Sequence, residues 1–251
     1  MELNGKTGET LRSPTVTTKL QRLAEQAARD PERVFTTLAH LIDEDFVREA
    51  YRQTRKSSAA GIDGVTAQQY AEHLDANLRD LHDRLRRGRS QAAPVVRVWI
   101  EKEDGGQRPI GTPAFEDKMV QRAVAMVLEA IYEQDFSDSS SGFRPGRSPH
   151  DALHAVRSQC MTEGLGWIVD ADVSGYFDSI DRTHLRAILR QRVNDGSILR
   201  LIGKWLRAGV MDGGVLQHPE TGVVQGGVIS PVLANVVLHH VLDVWFAQEV
   251  Q

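Results

Sequence analysis

Apolar side chains recur at three- and four-residue spacing from Val16 onward, as Leu20, Leu23 and Ala27, then Val34, Leu38 and Leu41. That rhythm predicts helices up to Tyr51, with a break and restart at Asp30-Pro31, where proline suits a first helical turn. Residues 54–65 (TRKSSAAGIDGV) read as loop, and Leu74, Leu78, Leu81 and Leu85 mark a helix over 66–87. The period then changes. Pro94–Ile100 (PVVRVWI) is β-rich and of strand length, Asp104-Gly105-Gly106 supplies turn residues, and Gln107–Gly111 returns as a second strand. Thr112-Pro113 opens a long helix to about Gln134, residues 135–148 are a Gly/Ser-rich loop, and Ser148-Pro149 caps a helix to about Met161. Gly166–Asp172 (GWIVDAD) predicts a short apolar strand ending in acids, followed by VSGYFDSID, which is no regular helix. Helices over 182–191 and 198–206, a Gly/Val-rich hairpin over 210–224 and a last helix from Ile229 to Phe246 complete the chain. No internal repeat is visible. Helices first, then mixed strands and helices, give an α+β fold class.

Composition changes this picture little. The 251 residues are 41% hydrophobic and 25% charged, enough for a core. The polar N-terminus lacks a signal-peptide segment, and no apolar run approaches membrane-spanning length, so a cytoplasmic protein with no membrane partner is expected. Residues 1–15 read as a disordered tail. The lone Cys160 excludes an internal disulfide and a cysteine-rich metal site, and is expected to be buried and inert. A net charge of −4 argues against a nucleic-acid-binding domain, yet Arg84, Arg86, Arg87, Arg89, Arg97, Lys102 and Arg108 share one stretch with only Glu101, Glu103 and Asp104. On charge alone that run is a solvated helix face leading into a loop.

The chemistry concentrates at Asp170-Ala171-Asp172-Val173-Ser174-Gly175-Tyr176-Phe177-Asp178. Carboxylates at alternate strand positions share a face, and an apolar strand ending in them is costly unless they are solvated, paired or bound to a cation. Mg²⁺ takes one or two carboxylates plus substrate phosphates, as in two-metal nucleotidyl transfer. Alone, this segment reads better as a strand-to-loop junction with Asp as turn former. Three further segments shift the balance. Lys102-Glu103-Asp104-Gly105-Gly106-Gln107-Arg108-Pro109-Ile110-Gly111-Thr112-Pro113 sets two cations around a glycine turn, as phosphate clamps do. Ser141-Gly142-Phe143-Arg144-Pro145-Gly146-Arg147-Ser148-Pro149-His150 suits a loop laid on a nucleic-acid backbone. Gln225-Gly226-Gly227-Val228-Ile229-Ser230-Pro231 lets backbone approach a ligand ahead of a helix.

In this order the segments resemble the group II intron-encoded reverse transcriptases, or maturases. Their pattern runs K-x-x-G-x-x-R-P-L-G-I-P, S-x-G-F-R-P-x-R-S-x-H, D-I-K-G-F-F-D-x-I-D-H and P-Q-G-G-x-x-S-P-L-L-A-N. Gly61-Ile62-Asp63-Gly64-Val65 resembles the opening of the family's fingers, so the match runs from about Ala59 to Asp243. Val224 stands where the family has Pro, and Val173-Ser174 for Ile-Lys. The family's Y/F-A-D-D motif is not among these residues, nor are its thumb and C-terminal maturase region.

The resemblance implies a right-hand polymerase fold with helical fingers, a β-hairpin and an incomplete palm sheet packed on helices. It divides the chain into residues 16–165, fingers with an N-terminal helical extension, and 166–251, partial palm. It implies RNA-directed DNA polymerase activity by two-metal transfer, with Asp172 catalytic and holding Mg²⁺ together with the Val173 carbonyl. Lys102, Arg108, Phe177, Gln225 and Gly226 would bind the incoming deoxynucleotide, Phe177 acting as steric gate against a ribose 2′-hydroxyl. Arg97, Arg144 and Arg147 would touch template RNA. Asp170 and Asp178 are held as structural. His150, His239 and His240 show no metal-ligand set and are assigned to packing. Implied partners are RNA template, DNA primer, deoxynucleoside triphosphate, group II intron RNA and a second polypeptide carrying the rest of palm and thumb. A fragment of this kind is expected to be weakly active or inactive. Its apolar helix faces at Val236, Val237, Val241, Val244, Trp245 and Phe246 are expected to be uncovered. Two other readings stay open: a non-catalytic RNA-binding module that assists splicing, and a retron- or CRISPR-linked reverse transcriptase.

Overall fold

The computed structural model describes residues 14–101 and 105–249. The expected disordered tail falls almost wholly outside them, and Lys102 lies outside them too.

Helix α5 (Phe115–Tyr132) is the axis of the core. It is apolar nearly all round, from Phe115 and Met119 to Leu128 and Ile131, and such a helix must be buried on every side. Helices α1 (Pro14–Arg29), α2 (Glu44–Gln53) and α10 (Ser230–Leu238) supply that cover. One hydrophobic cluster runs from Val16 to Val236, across the expected boundary between fingers and palm. Helices α3 (Ala67–Ala71) and α4 (Leu74–Arg86) divide the single helix expected over 66–87, α6 (Pro149–Glu163), α8 (Arg182–Arg192) and α9 (Gly196–Arg207) follow the predicted order, and α7 (Tyr176–Ser179) is a single turn in the segment expected to be irregular. Local capping explains several of their starts. Ser148 and Asp151 form a reciprocal capping box at α6, as do Thr66 and Gln69 at α3.

The sheet is mixed, in the order β2-β1-β3-β4. Strands β1 (Val95–Glu101) and β2 (Gln107–Thr112) are the predicted antiparallel hairpin, with Arg97 opposite Gly111 and Ile100 opposite Arg108. Strand β3 (Val210–Asp212) then runs parallel to β1 and turns back into β4 (Val215–Gln217). The expected hairpin over 210–224 is thus real but short.

Four expectations are corrected. Residues 166–172 form no strand: no strand among the described residues pairs with them, and Trp167 and Val169 are both 92% exposed. Without a partner an extended apolar run has no ladder to hold it. Pro31 opens no helix. The chain from 30 to 43 runs along the core edge without an α-helix, turning at Pro31–Glu32, where the Arg33 amide donates to the Asp30 carbonyl at 3.1 Å, and again in one 3₁₀ turn at Ala39–Leu41. Phe35 bridges Val193, and the Asp195 carboxylate accepts the amides of Leu38 (2.6 Å) and Ala39 (3.0 Å), so distant groups take the hydrogen bonds a helix would have used. Cys160 is half-buried, on a helix with no buried residue. Finally, α10 runs on through a π-helical segment (His239–Asp243) into α11 (Val244–Glu249). By length and a mean hydropathy of 1.2, Ser230–Glu249 is apolar enough to cross a membrane, which corrects the reading that no segment is. Its first half packs in the core instead, with Leu233 and Val236 buried. Val241, Trp245 and Phe246 are exposed as expected, Val237 and Val244 are half-buried, and Val236 is the exception.

Candidate active site

Three motifs distant in sequence meet beside β2. The Gly111 amide donates to the Gln225 carbonyl at 2.6 Å, laying the Gln225-Gly226 turn on the hairpin. Gly226 sits at φ 101°, and a Cβ there would stand 2.6 Å from the Gly111 carbonyl oxygen, so only glycine fits. On the other side of the same loop, the Val223 amide donates to the Phe177 carbonyl and the Gly222 amide to the Ile180 carbonyl, both at 2.8 Å. Gly222 is equally constrained, since a Cβ would meet Asp178 backbone at 2.9 Å. A small cavity of about 40 Å³ lies where these segments converge, lined among others by Arg97, Gly111, Asp178, Arg182 and Gln225.

Phe177 does not line that cavity; it precedes the lining residue Asp178 in sequence and belongs to an aromatic cluster. The Phe177 ring meets Phe143 at 6.4 Å and Tyr176 at 5.9 Å, both edge-on. Tyr176 Oη donates to the Ala234 carbonyl (2.7 Å) and Asn235 Nδ2 to the Gly142 carbonyl (2.8 Å), so α10 anchors both ring-bearing segments. Burial raises the Tyr176 phenol to about 12, keeping that donor protonated. Phe143 has φ 56°, a left-handed backbone costly for a non-glycine residue, and its ring is 73% exposed.

The cations are not equivalent. Arg108 is exposed on β2. Arg97 donates to Asp212 (3.2 Å), which also accepts from the Trp99 indole (3.3 Å). Arg147 is bound to the Asp138 carbonyl and carboxylate, each at 2.9 Å. Arg144 has only 3% of its side chain exposed and donates to the Glu133 carboxylate and to the Ser137 and Ser140 carbonyls. That is an internal clamp on the 137–144 loop, at odds with a template contact.

Asp172 is exposed on the unpaired segment and makes no hydrogen bond or ion pair within the described residues. It does not line the cavity beside β2, but only four residues separate it from Phe177, at most ~18 Å of extended chain. Asp170, Val173 and Asp178 are exposed too, and among the described residues no group of three or more His, Cys, Asp or Glu could hold a metal. Asp172 thus offers a single exposed carboxylate, an oxygen donor of the kind Mg²⁺ accepts, with no assembled metal site around it among the described residues. His239 faces Asp243 at 3.2 Å and packs on Phe136, in keeping with a packing role.

Two supporting residues escaped the sequence reading. Gln121 and Asp117 interrupt the apolar surface of α5 and are buried. The Gln121 side chain accepts the Ile229 amide at 3.4 Å, and Ser230 Oγ donates to the Val224 carbonyl at 2.7 Å, together bracing the glycine turn. The signal available was a polar pair inside an apolar helix. Burial pushes the Asp117 carboxyl up to about 6, against hydrogen bonds from the Ala93 amide and Trp205 indole. A folded value above the unfolded 3.8 means stability present below about pH 4 is lost as pH rises through 6. For this group the loss is at most about 3 kcal/mol. Asp117→Asn carries no such titration. Wild type is thus expected to weaken relative to the variant between pH 4 and 6 in urea unfolding, and parallel pH profiles would contradict the assignment.

Residues 100–249 match the family described as reverse transcriptase (RNA-dependent DNA polymerase). The chain belongs to the reverse transcriptase family. It is 39% identical over 226 residues to Protein YkfC of Escherichia coli (strain K12), covering 87% of this chain and 59% of that protein. It is 34% identical over 222 residues to the group II intron-encoded protein LtrA of Lactococcus lactis subsp. cremoris, covering 88% of this chain and 37% of LtrA. The chain thus spans little more than half of one relative and about a third of the other. Among solved structures, a chain of a partial Cas6-RT-Cas1–Cas2 complex superposes with a TM-score of 0.51 at 21% identity, covering 82% of this chain and 34% of that one, a likeness of fold.

Proposed function

We propose that these residues form the nucleotide side of an RNA-directed DNA polymerase of group II intron type. The observation that carries the reading is the convergence of β2, the Phe177 turn and the Gln225-Gly226 turn on one cleft. In this reading Arg108, together with Lys102 of the same sequence motif, neutralises the triphosphate of a deoxynucleotide paired to template RNA. Phe177 closes the space a 2′-hydroxyl would need, its ring held by Phe143 and Tyr176. The Gln225-Gly226 backbone flanks base and template. Asp172 and the Val173 carbonyl would hold Mg²⁺, which when bound supplies electrostatic stabilisation of the phosphate oxygens during attack by a primer 3′-hydroxyl. Template RNA, DNA primer and a structured intron RNA are the partners this reading names. The exposed Trp167, Val169, Trp245 and Phe246 support packing of further protein against this side, in keeping with a second polypeptide or further palm.

Binding tests this without requiring turnover. With Mg²⁺ and a fluorescent nucleotide, Arg108→Ala is expected to weaken deoxynucleotide affinity about tenfold, the effect of one charge-assisted contact. Phe177→Ala is expected to leave deoxynucleotide affinity within about threefold while narrowing its advantage over the ribonucleotide, a step that one excluded hydroxyl accounts for. Unchanged affinity and unchanged sugar preference in both folded variants would remove the basis of the assignment.

A further inference from the structure

The arginine run at the end of α4, which on charge alone reads as a solvated helix face, lines a second cavity in the structure. It holds about 650 Å³ and lies between the C-terminus of α4, the 3₁₀ turn at Ala39–Leu41 and one side of α9. Arg86, Arg87, Arg200 and Lys204 surround it, with His40 and His82. Among the described residues no Asp or Glu lines it. Arg86 and Arg87 share one exposed carboxylate, Asp83, at 3.8 and 3.7 Å, and keep 68% and 55% of their side chains in solvent. Arg200 donates to Ser197 Oγ (3.1 Å) and is within ion-pair reach of no carboxylate among the described residues. Lys204 donates to the Gly88 carbonyl (3.3 Å) and the Ser90 carbonyl, fixing the turn that carries the two arginines. The floor is apolar, formed by Ile42, Leu85 and Leu201.

Four cations in a chain of net charge −4 make a local positive field against the overall sign. Guanidinium forks match phosphate oxygens in geometry as well as charge, and the apolar floor suits a ribose or base face. The volume falls in the range of small-ligand sites, so one nucleotide unit of a longer strand fits. None of these residues belongs to the motifs that meet at β2. We infer that this cavity is a second RNA site, gripping the sugar-phosphate backbone of a structured RNA away from the polymerising cleft. The inference rests on the reading that the protein handles RNA, but not on where the nucleotide binds.

The test is anisotropy of a fluorescein-labelled RNA hairpin, without primer or nucleotide, on the full 251-residue chain. In the Arg86→Gln/Arg87→Gln/Arg200→Gln variant the dissociation constant is expected to rise at least about tenfold, and the salt dependence to lose a slope of roughly 2 to 3. A control carrying Arg157→Gln/Arg186→Gln/Arg190→Gln, three exposed arginines outside the cavity, is expected to stay within about twofold of wild type. Circular dichroism melts establish that both variants fold. The inference is overturned if wild type binds no hairpin, if the cavity variant binds like wild type, if both triples lose affinity equally, or if duplex DNA of equal length binds as tightly with the same sensitivity. Failure of the nucleotide-binding variants with this pattern intact sinks the polymerase cleft and leaves the cavity standing.

Discussion

Arg192→Ala is expected to cost about 3–5 kcal/mol of unfolding free energy, the largest effect of a single side chain on this fold. Arg192 is buried at the end of α8 and commits its guanidinium in several directions. Nε and Nη2 donate to the two oxygens of Asp135, each at 2.8 Å, and Nη1 to the carbonyls of Arg33 (2.8 Å) and Asp30 (3.1 Å). Nη2 also reaches the Ala27 carbonyl at 3.3 Å. The group therefore staples α1, the 30–43 segment and the end of the α5 loop to α8. Truncation leaves a carboxylate and three carbonyls without their donors in a desolvated place, which costs more than the pair was worth. Arg192→Lys offers a point charge in place of a planar fork and is expected to recover less than half of the loss. Urea unfolding with matched slopes measures both. An alanine variant within about 1 kcal/mol of wild type would show that the network is not a determinant of stability.

Primer extension on an RNA template, with deoxynucleotides and Mg²⁺, is expected to give no templated incorporation by these 251 residues on their own. Correct positioning of reactants accounts for roughly 7–11 kcal/mol of a barrier, so losing it is worth at least about 10⁵ in rate. Here Asp172 stands exposed on a segment with no strand partner, and one unheld carboxylate does not fix reacting groups to the fraction of an ångström that catalysis needs. Nucleotide binding through Arg108 and Phe177 is expected to survive, because those residues sit on hydrogen-bonded elements. Robust incorporation that vanishes in Asp172→Ala would show the opposite, that this acid is already organised for chemistry.

Much of the scaffold was readable from local signals. The β1–β2 hairpin follows from PVVRVWI, a glycine turn and a returning strand, and α6 from Ser148-Pro149 with Asp151 at the capping position. The motifs around Arg108, Phe177 and Gln225 suggested a site through the family resemblance, and hydrogen bonds join β2 to the Gln225 turn and that loop to the Phe177 turn. Other features were invisible because both partners had to be known. Arg192 and Asp195 look like ordinary polar residues in RQRVNDG, yet they hold the 27–39 region, more than 150 residues away. Burial would raise the Asp195 carboxyl, but four backbone amides, from Leu38, Ala39, Ile198 and Ser197, hold it below the usual range.

Periodicity, turn residues and caps set most of the helices and the hairpin, since each depends on neighbours within a few positions. Three things depended on contacts between remote segments: the fate of GWIVDAD, the path of residues 30–43, and whether an arginine is a clamp, like Arg144, or an open cation, like Arg200. A strand exists only where a ladder receives it, and a charge is available only where no carboxylate has already taken it. Both are properties of pairs, and pairs form in three dimensions.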